Sequence, residues 1–169
     1  MSAGMSTIDY TLAKPTNNFD YLAPLFRSAV ETALAEFNAG KDKPEAVVYE
    51  TYRSNNLQLL YYARGRQVRP PDAPVTNAKS NLYSWHGYGL AVDVIHAKLE
   101  WSASEDWFSS VAVVFRKFGC KWGGDWTSPD LPHFQWGKCK PSPSPIAREL
   151  IVSRGIASVW EAVGAASPG

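Results

Sequence analysis

The stretch Ser84-Trp85-His86-Gly87-Tyr88-Gly89-Leu90-Ala91-Val92-Asp93 changes character halfway along. A histidine among aromatic residues and glycines gives way to an apolar run that carries one carboxylate. Leu90 to Ile95 reads as a strand on which Ala91, Asp93 and Ile95 share one face, because side chains alternate along a strand. Gly87 and Gly89 let the backbone turn between loop and strand, so His86 and Asp93 can converge. A catalytic zinc takes three protein ligands, usually imidazole nitrogens and a carboxylate oxygen, and leaves a fourth position for water. The chain has three histidines, His86, His96 and His133. His133, in Asp130-Leu131-Pro132-His133, comes from a short strand around 133–136 and can complete the set. The ligands are then spread over loop and strands, unlike a helical HExxH pair.

Hydrolysis of an amide also needs a base for the attacking water and a partner for the developing oxyanion. Asp130, three residues before His133 on a turn shaped by Pro129 and Pro132, is the candidate base. Arg53, at the end of the run Val47-Val48-Tyr49-Glu50-Thr51-Tyr52-Arg53, is the candidate cation, suited to an oxyanion or a substrate carboxylate. Taken singly, each of these residues has a plainer reading. A lone histidine is usually structural, and an aspartate beside a glycine-rich turn usually caps it. A single arginine can be a surface ion pair of little energetic consequence. Gly123-Gly124 reads most simply as a hairpin turn, Asp125 as a turn residue or a support for the site, and His96 as solvated.

The remaining sequence sets these residues in an α+β fold with a small, mainly antiparallel sheet and flanking helices. A helix is expected from about Asp20 to Asn38, through Leu22, Phe26, Val30, Leu34 and Phe37, with Gly40 as its stop. Ser54 reads as the N-cap of a second helix ending at Gly65. Residues 66–85 form a long Pro-, Asn- and Ser-rich connection of the kind that carries function or moves. A third helix, about Ser104 to Phe118, is expected to bury Trp107, Val111, Val114 and Phe118. Strands follow at Lys121–Trp122 and His133–Trp136. The proline-rich run 141–145 leads to a helical segment with Ser144 as N-cap and Pro145 at its first position. Its stripe is Ile146, Leu150, Ile151, Ile156, Val159, Trp160 and Val163, bent at Gly155. Residues 1–140 are read as a catalytic core and 141–169 as a segment packed on it, one domain overall.

Composition bounds the partners. Seventeen basic against sixteen acidic residues leave a net charge of +1, without the basic excess of a sequence-tolerant nucleic-acid binder. Cys120 and Cys139 stand in no CxxC or Cys/His cluster and read as reduced, partly buried thiols, with a single bridge between them as the alternative. No apolar stretch is long enough to span a bilayer. Met1 to Thr7 carry no secretory n- or h-region, which gives the expectation of a protein made in the cytoplasm.

Jointly, the motifs resemble a family. Ser-Trp-His-Gly-Tyr-Gly-Leu-Ala-Val-Asp is similar to the SxHxxGxAxD signature of the D-alanyl-D-alanine carboxypeptidases and L-alanyl-D-glutamate endopeptidases. Trp122-Gly123-Gly124-Asp125-Trp126, followed by Asp130-x-x-His133-Phe134-Gln135, resembles its second signature. Tyr52-Arg53-Ser54 with Gln58, Gly65-Arg66 and Val75-Thr76-Asn77-Ala78 resemble its opening block. The resemblance covers about residues 47–136. It implies Zn2+ on His86, Asp93 and His133, Asp130 as catalytic base, Arg53 near the scissile carbonyl, and Gln58 and Ser84 close to the substrate. It implies the small zinc-peptidase fold shared with the hedgehog domain, and peptidoglycan stem peptide as substrate. The short form looks like a bacteriophage endolysin, a monomer expected to reach the wall after holin-type release. A D,D-carboxypeptidase removing terminal D-Ala and a non-catalytic zinc-containing binding module are the alternatives.

Overall fold

In a computed structural model, residues 7–71 and 73–167 are described; the reading of the extreme N-terminus falls largely outside them. The elements in chain order are α1 (Pro24–Asn38), β1 (Ala46–Glu50), α2 (Asn55–Ala63), β2 (Ala91–His96), α3 (Glu105–Lys117), β3 (Cys120–Trp122), β4 (His133–Trp136), α4 (Pro145–Arg154) and α5 (Ile156–Ala162). The strands form one antiparallel sheet in the order β1-β2-β4-β3. Short 3-10 turns at Phe19–Tyr21, Asn81–Tyr83, Trp85–Tyr88 and Gly123–Asp125 complete the fold. This is the expected α+β architecture.

Local chemistry places the ends of these elements. Ser54, Ser104 and Ser144 each accept a hydrogen bond from the backbone N–H three residues on, which satisfies an otherwise orphaned donor at the start of α2, α3 and α4. Acidic Glu105 and Asp106 open α3 and basic Arg116 and Lys117 close it, in the sense the helix dipole favours.

The core lies between α1, α3 and one face of the sheet. Phe26, Ala29, Val30 and Ala33 of α1 meet Phe108, Val111, Ala112 and Phe115 of α3, with the Phe134 ring of β4 tilted against Phe115 at 4.4 Å. The buried line of α3 is therefore rotated from the expected one: Trp107, Val114 and Phe118 flank the core instead of forming it. Two lines one residue apart are nearly equally apolar in this helix, and packing against Phe134 selects one. Cys120 and Cys139 are buried free thiols, each pushed up to about 12 by burial.

The C-terminal segment is fixed to the core by indole hydrogen bonds. Trp160 Nε1 donates to the Tyr88 carbonyl at 2.7 Å, and Trp136 Nε1 donates to the Val163 carbonyl at 2.6 Å. Gly155, at φ +89°, separates α4 from α5, so the apolar stripe does not run through. Val159 is buried, but Ile146 is 70% exposed, which corrects its expected place on the stripe. Among the described residues no helix is long and apolar enough to cross a membrane. Trp160→Phe is expected to lower the unfolding free energy by about 1–2 kcal/mol in urea denaturation, because it leaves the Tyr88 carbonyl without its donor.

Candidate functional site

The sheet register builds a polar row at one end of the fold. Glu50 of β1 lies opposite Asp93 of β2, and Asp93 lies opposite His133 of β4. Directly paired residues on antiparallel neighbours point to the same face, so the three side chains share one side of the sheet. A bulge between Val48 and Glu50 inserts Tyr49 and sets Glu50 rather than Tyr49 against Asp93.

His86 joins this row from the 3-10 turn Trp85–Tyr88. Ser84 Oγ caps the turn by accepting from the His86 N–H at 3.3 Å. Gly89 ends it in the left-handed region, at φ +67°, and a Cβ there would lie 2.3 Å from the Tyr21 carbonyl oxygen. His86 Nδ1 lies 3.2 Å from the Thr51 carbonyl, an obligatory acceptor, so the proton sits on Nδ1. Its Nε2, the nitrogen left to meet a metal, lies 3.2 Å from Asp93 Oδ1.

His133 is oriented in the mirror sense. Its Nε2 donates to Gln135 Oε1 at 2.7 Å, and Gln135 Nε2 donates to the Lys140 carbonyl at 2.8 Å, which fixes the amide orientation. His133 Nδ1 is left 3.9 Å from both Asp93 Oδ1 and Asp130 Oδ2. One ligand atom each from His86, Asp93 and His133 lies within 4.8 Å of the others.

The protonation states suit metal binding. Burial, reinforced by repulsion from His86, pushes the His133 imidazole down to about 4, so it is neutral and free to donate a lone pair. Burial opposes the Asp93 charge, yet His86, Arg53 and His133 outweigh it and hold the carboxyl well below the usual range. Two imidazoles, each anchored through its second nitrogen, and one ionised carboxylate form a donor set that fits zinc.

Asp130 sits beside this triad with half of its side chain open to the cleft. Partial withdrawal from water, then the nearby Asp93 carboxylate, raise its pKa above the ordinary carboxylate range. Its turn rests on Gly123: the Asp130 N–H donates to the Gly123 carbonyl at 2.9 Å, and a Cβ on Gly123 would lie 2.5 Å from the Asp130 carbonyl oxygen. Gly123 thus serves close approach within a 3-10 turn, which corrects the simple hairpin reading. Asp125 pairs with Arg116 at 2.7 Å, away from the triad.

Arg53 is buried, with Nε 2.6 Å from Glu50 Oε1, Nη1 2.9 Å from Gln58 Oε1 and Nη2 3.5 Å from Asp93 Oδ2. Its guanidinium also lies over the Tyr61 ring, 4.7 Å from the centroid. Burial alone would weaken its charge, but Glu50 more than offsets this and raises its pKa. Gln58 is fully buried, accepting from Arg53 and donating to the Ala78 carbonyl at 2.7 Å. Its expected contact with substrate is therefore corrected: both ends of the amide are occupied, and it positions Arg53 and the loop at Ala78. Ser84 lines the cleft while capping the turn of His86. His96 lies apart from the triad; its Nδ1 accepts from Lys98 N at 3.0 Å and Leu99 N at 3.1 Å, which makes it a turn cap and not a solvated side chain.

The cleft over Asp130 and His133 has a volume of about 570 Å³ and is walled by 74–78 of the long connection, Tyr83 and Trp126. Arg66 straps this connection to α2, donating to both the Tyr62 and the Thr76 carbonyls at 2.8 Å. Glu50, Thr51 and Gln135 are the site residues that sequence reasoning passed over. Gln135 carried a usable signal, since position i+2 on a strand shares the face of His133. Glu50 carried another, as a lone acid ending an apolar run.

Residues 77–136 match the model of a family described as D-alanyl-D-alanine carboxypeptidase. The chain is 31% identical over 104 residues to the peptidoglycan L-alanyl-D-glutamate endopeptidase CwlK of Bacillus subtilis strain 168. That match takes in 54% of this chain and 60% of the relative's length. Among solved structures it is similar to the L-Ala D-Glu endopeptidase ChiX of Serratia marcescens, with a TM-score of 0.51 and 23% identity, covering 70% of this chain and 83% of that one; this likeness concerns the fold.

Gln135→Leu is expected to weaken zinc binding by about 10- to 100-fold, read by chelator competition, because His133 loses the acceptor that fixes its tautomer. Glu50→Ala is expected to destabilise the fold by about 3–5 kcal/mol in urea, since it strands the buried Arg53 charge.

Proposed function

We propose that the chain belongs to the family of D-alanyl-D-alanine carboxypeptidases and L-alanyl-D-glutamate endopeptidases, and that it is a zinc peptidase cutting the L-alanyl-D-glutamate bond of peptidoglycan stem peptides. One observation carries this reading: three metal-competent donors converge within 4.8 Å beside a fourth, solvent-open carboxylate, Asp130, that is not needed to hold the ion. His86, Asp93 and His133 would hold the zinc, which when bound acts as a Lewis acid and lowers the pKa of water towards ~7.

The protein groups divide the remaining work. Asp130 takes a proton from the attacking water and returns it to the leaving amine; its raised basicity and its exposure to the cleft suit both steps. Arg53 holds a fixed positive charge 3.5 Å from Asp93, where a developing oxyanion or a substrate carboxylate would be steadied. Its Nε and Nη1 are committed to Glu50 and Gln58, and Nη2 is shared between Glu50 Oε2 at 3.3 Å and Asp93 Oδ2 at 3.5 Å, so it acts on substrate as a fixed charge held beside the site. Gln135 and the Thr51 carbonyl keep both imidazoles in the tautomer that presents a lone pair. The 74–78 wall restricts water and orients an extended peptide along the cleft.

The D-alanyl-D-alanine carboxypeptidase description of the matched family favours a second reading, removal of terminal D-Ala at the same site. The role of a monomeric bacteriophage lysis enzyme, released to the wall by a holin, rests on the sequence resemblance alone. Co-expression with a holin tests it, with lysis expected only when both are present.

His86→Ala is expected to lose zinc and activity together, whereas Asp130→Ala keeps zinc and loses at least about 100-fold in turnover. Mass spectrometry of muropeptides digested with and without chelator decides the bond. New L-Ala C-termini support the endopeptidase and free D-Ala the carboxypeptidase. An Asp130→Ala protein that digests sacculi at the normal rate would remove the base assignment.

A further inference from the structure

A second arm of the cleft opens on the far side of Asp130. It has a volume of about 460 Å³ and shares Arg53, Asp93 and Asp130 with the site, but its outer wall is Tyr49, Arg64 and Trp101. None of these three belongs to the signatures or to the metal site. We propose that this arm is a saccharide subsite, in which Trp101 and Tyr49 stack on a pyranose ring of the glycan attached to the peptide and Arg64 donates to its acetamido or lactyl oxygens. The proposal rests on the peptidoglycan reading of the site.

Three observations carry it. Trp101 is 49% exposed although it stands beside a polar site, and its contact with Tyr49 is edge-on, at 4.7 Å and 77°. That geometry leaves indole surface open, and an aromatic face attracts the slightly positive C–H groups of a sugar ring as it does the edge of another ring. The aromatic faces of the opposite arm are already used. Trp126 packs on His133 at 4.8 Å, and Tyr83 carries Lys79 at 4.8 Å and Arg148 at 4.4 Å.

The β1 bulge supplies the second observation. By admitting one extra residue it turns Glu50 to the site and leaves Tyr49 for Trp101, so the platform and the catalytic row arise from the same irregularity. Arg64 is the third. It leans over the Tyr61 ring at 5.3 Å, the ring that also carries Arg53, and has no carboxylate partner among the described residues. Arg53, by contrast, is paired with Glu50 at 2.6 Å. With no carboxylate partner among the described residues, the Arg64 guanidinium at the rim of an aromatic pocket can turn its N–H donors to the acceptor oxygens of a ligand.

The test uses the zinc-loaded full chain and two probes: a GlcNAc-MurNAc disaccharide pentapeptide and the same pentapeptide without sugar. Binding is read by isothermal titration and cleavage by mass spectrometry. The wild type is expected to prefer the glycosylated probe in both assays. In Trp101→Ala the ratio of kcat/KM for glycosylated over bare peptide falls about 10-fold, the size of one well-placed stacking contact, and Trp101→Phe recovers part of it. Arg64→Ala lowers the same ratio. Equal losses on both probes would make the arm a peptide subsite and overturn the saccharide assignment, as would an unchanged ratio in Trp101→Ala with a native melting temperature. A wild type that binds the disaccharide probe through Trp101 without cleaving it retains the subsite and refutes the hydrolase. Absence of both binding and cleavage overturns both.

Discussion

The Glu50–Arg53 ion pair is the contact around which this site is arranged. It is buried and almost bidentate, with Nε at 2.6 Å and Nη2 at 3.3 Å from the two carboxylate oxygens, and Gln58 and Tyr61 occupy the rest of the guanidinium. Burying both charges costs several kcal/mol per ion before the attraction is counted, so such a pair is weak evidence for stability in its own right. Its consequence here is positional. It fixes a cation beside Asp93, helps to keep that carboxylate ionised, and joins the end of β1 to α2.

The rest follows by backbone connection. The chain leaving Glu50 passes through Thr51, whose carbonyl orients His86, and then Arg53, whose N–H donates to the His86 carbonyl at 3.1 Å. The same few residues therefore position the His86 imidazole, the cation and, through the sheet register, Asp93. On the opposite side Gln135 performs for His133 what Thr51 performs for His86. Both supports are buried acceptors, and among the described residues no buried side-chain polar atom lacks a partner. The imidazoles are thus set before any ion arrives, which lowers the ordering cost of binding one.

The C-terminal segment has a structural role that the motifs do not announce. Trp160 donates to the carbonyl of Tyr88, in the turn that carries His86, and Tyr88 is itself buried with its hydroxyl on the Leu82 carbonyl at 2.8 Å. Lys140, immediately before the proline-rich run, contributes through its carbonyl, which accepts from both Trp85 and Gln135. Residues past the last motif therefore stand behind both histidines, which connects helix packing in α5 to the geometry of the site.

The sequence by itself determined the α+β class, the serine caps at Ser54 and Ser144, the strand bearing Asp93, and, through motifs that jointly resemble a family, the grouping of His86, Asp93, Asp130 and His133. The class, the caps and the strand depend on local rules: period-two alternation and a hydroxyl three residues before a donor. Only the tertiary structure decided the roles of Glu50, Gln58 and Gln135, the rotation of α3, the state of His96 and the aromatic arm at Trp101. Each of these depends on what lies opposite across the sheet or across a loop. Gln58, for example, passes from substrate contact to support once Ala78, twenty residues away, closes on its amide. A one-residue bulge decides whether Tyr49 or Glu50 faces the site, and no periodicity in five residues of β1 reveals it. Residue spacing thus located the chemistry, while cross-strand register and burial assigned each side chain its part.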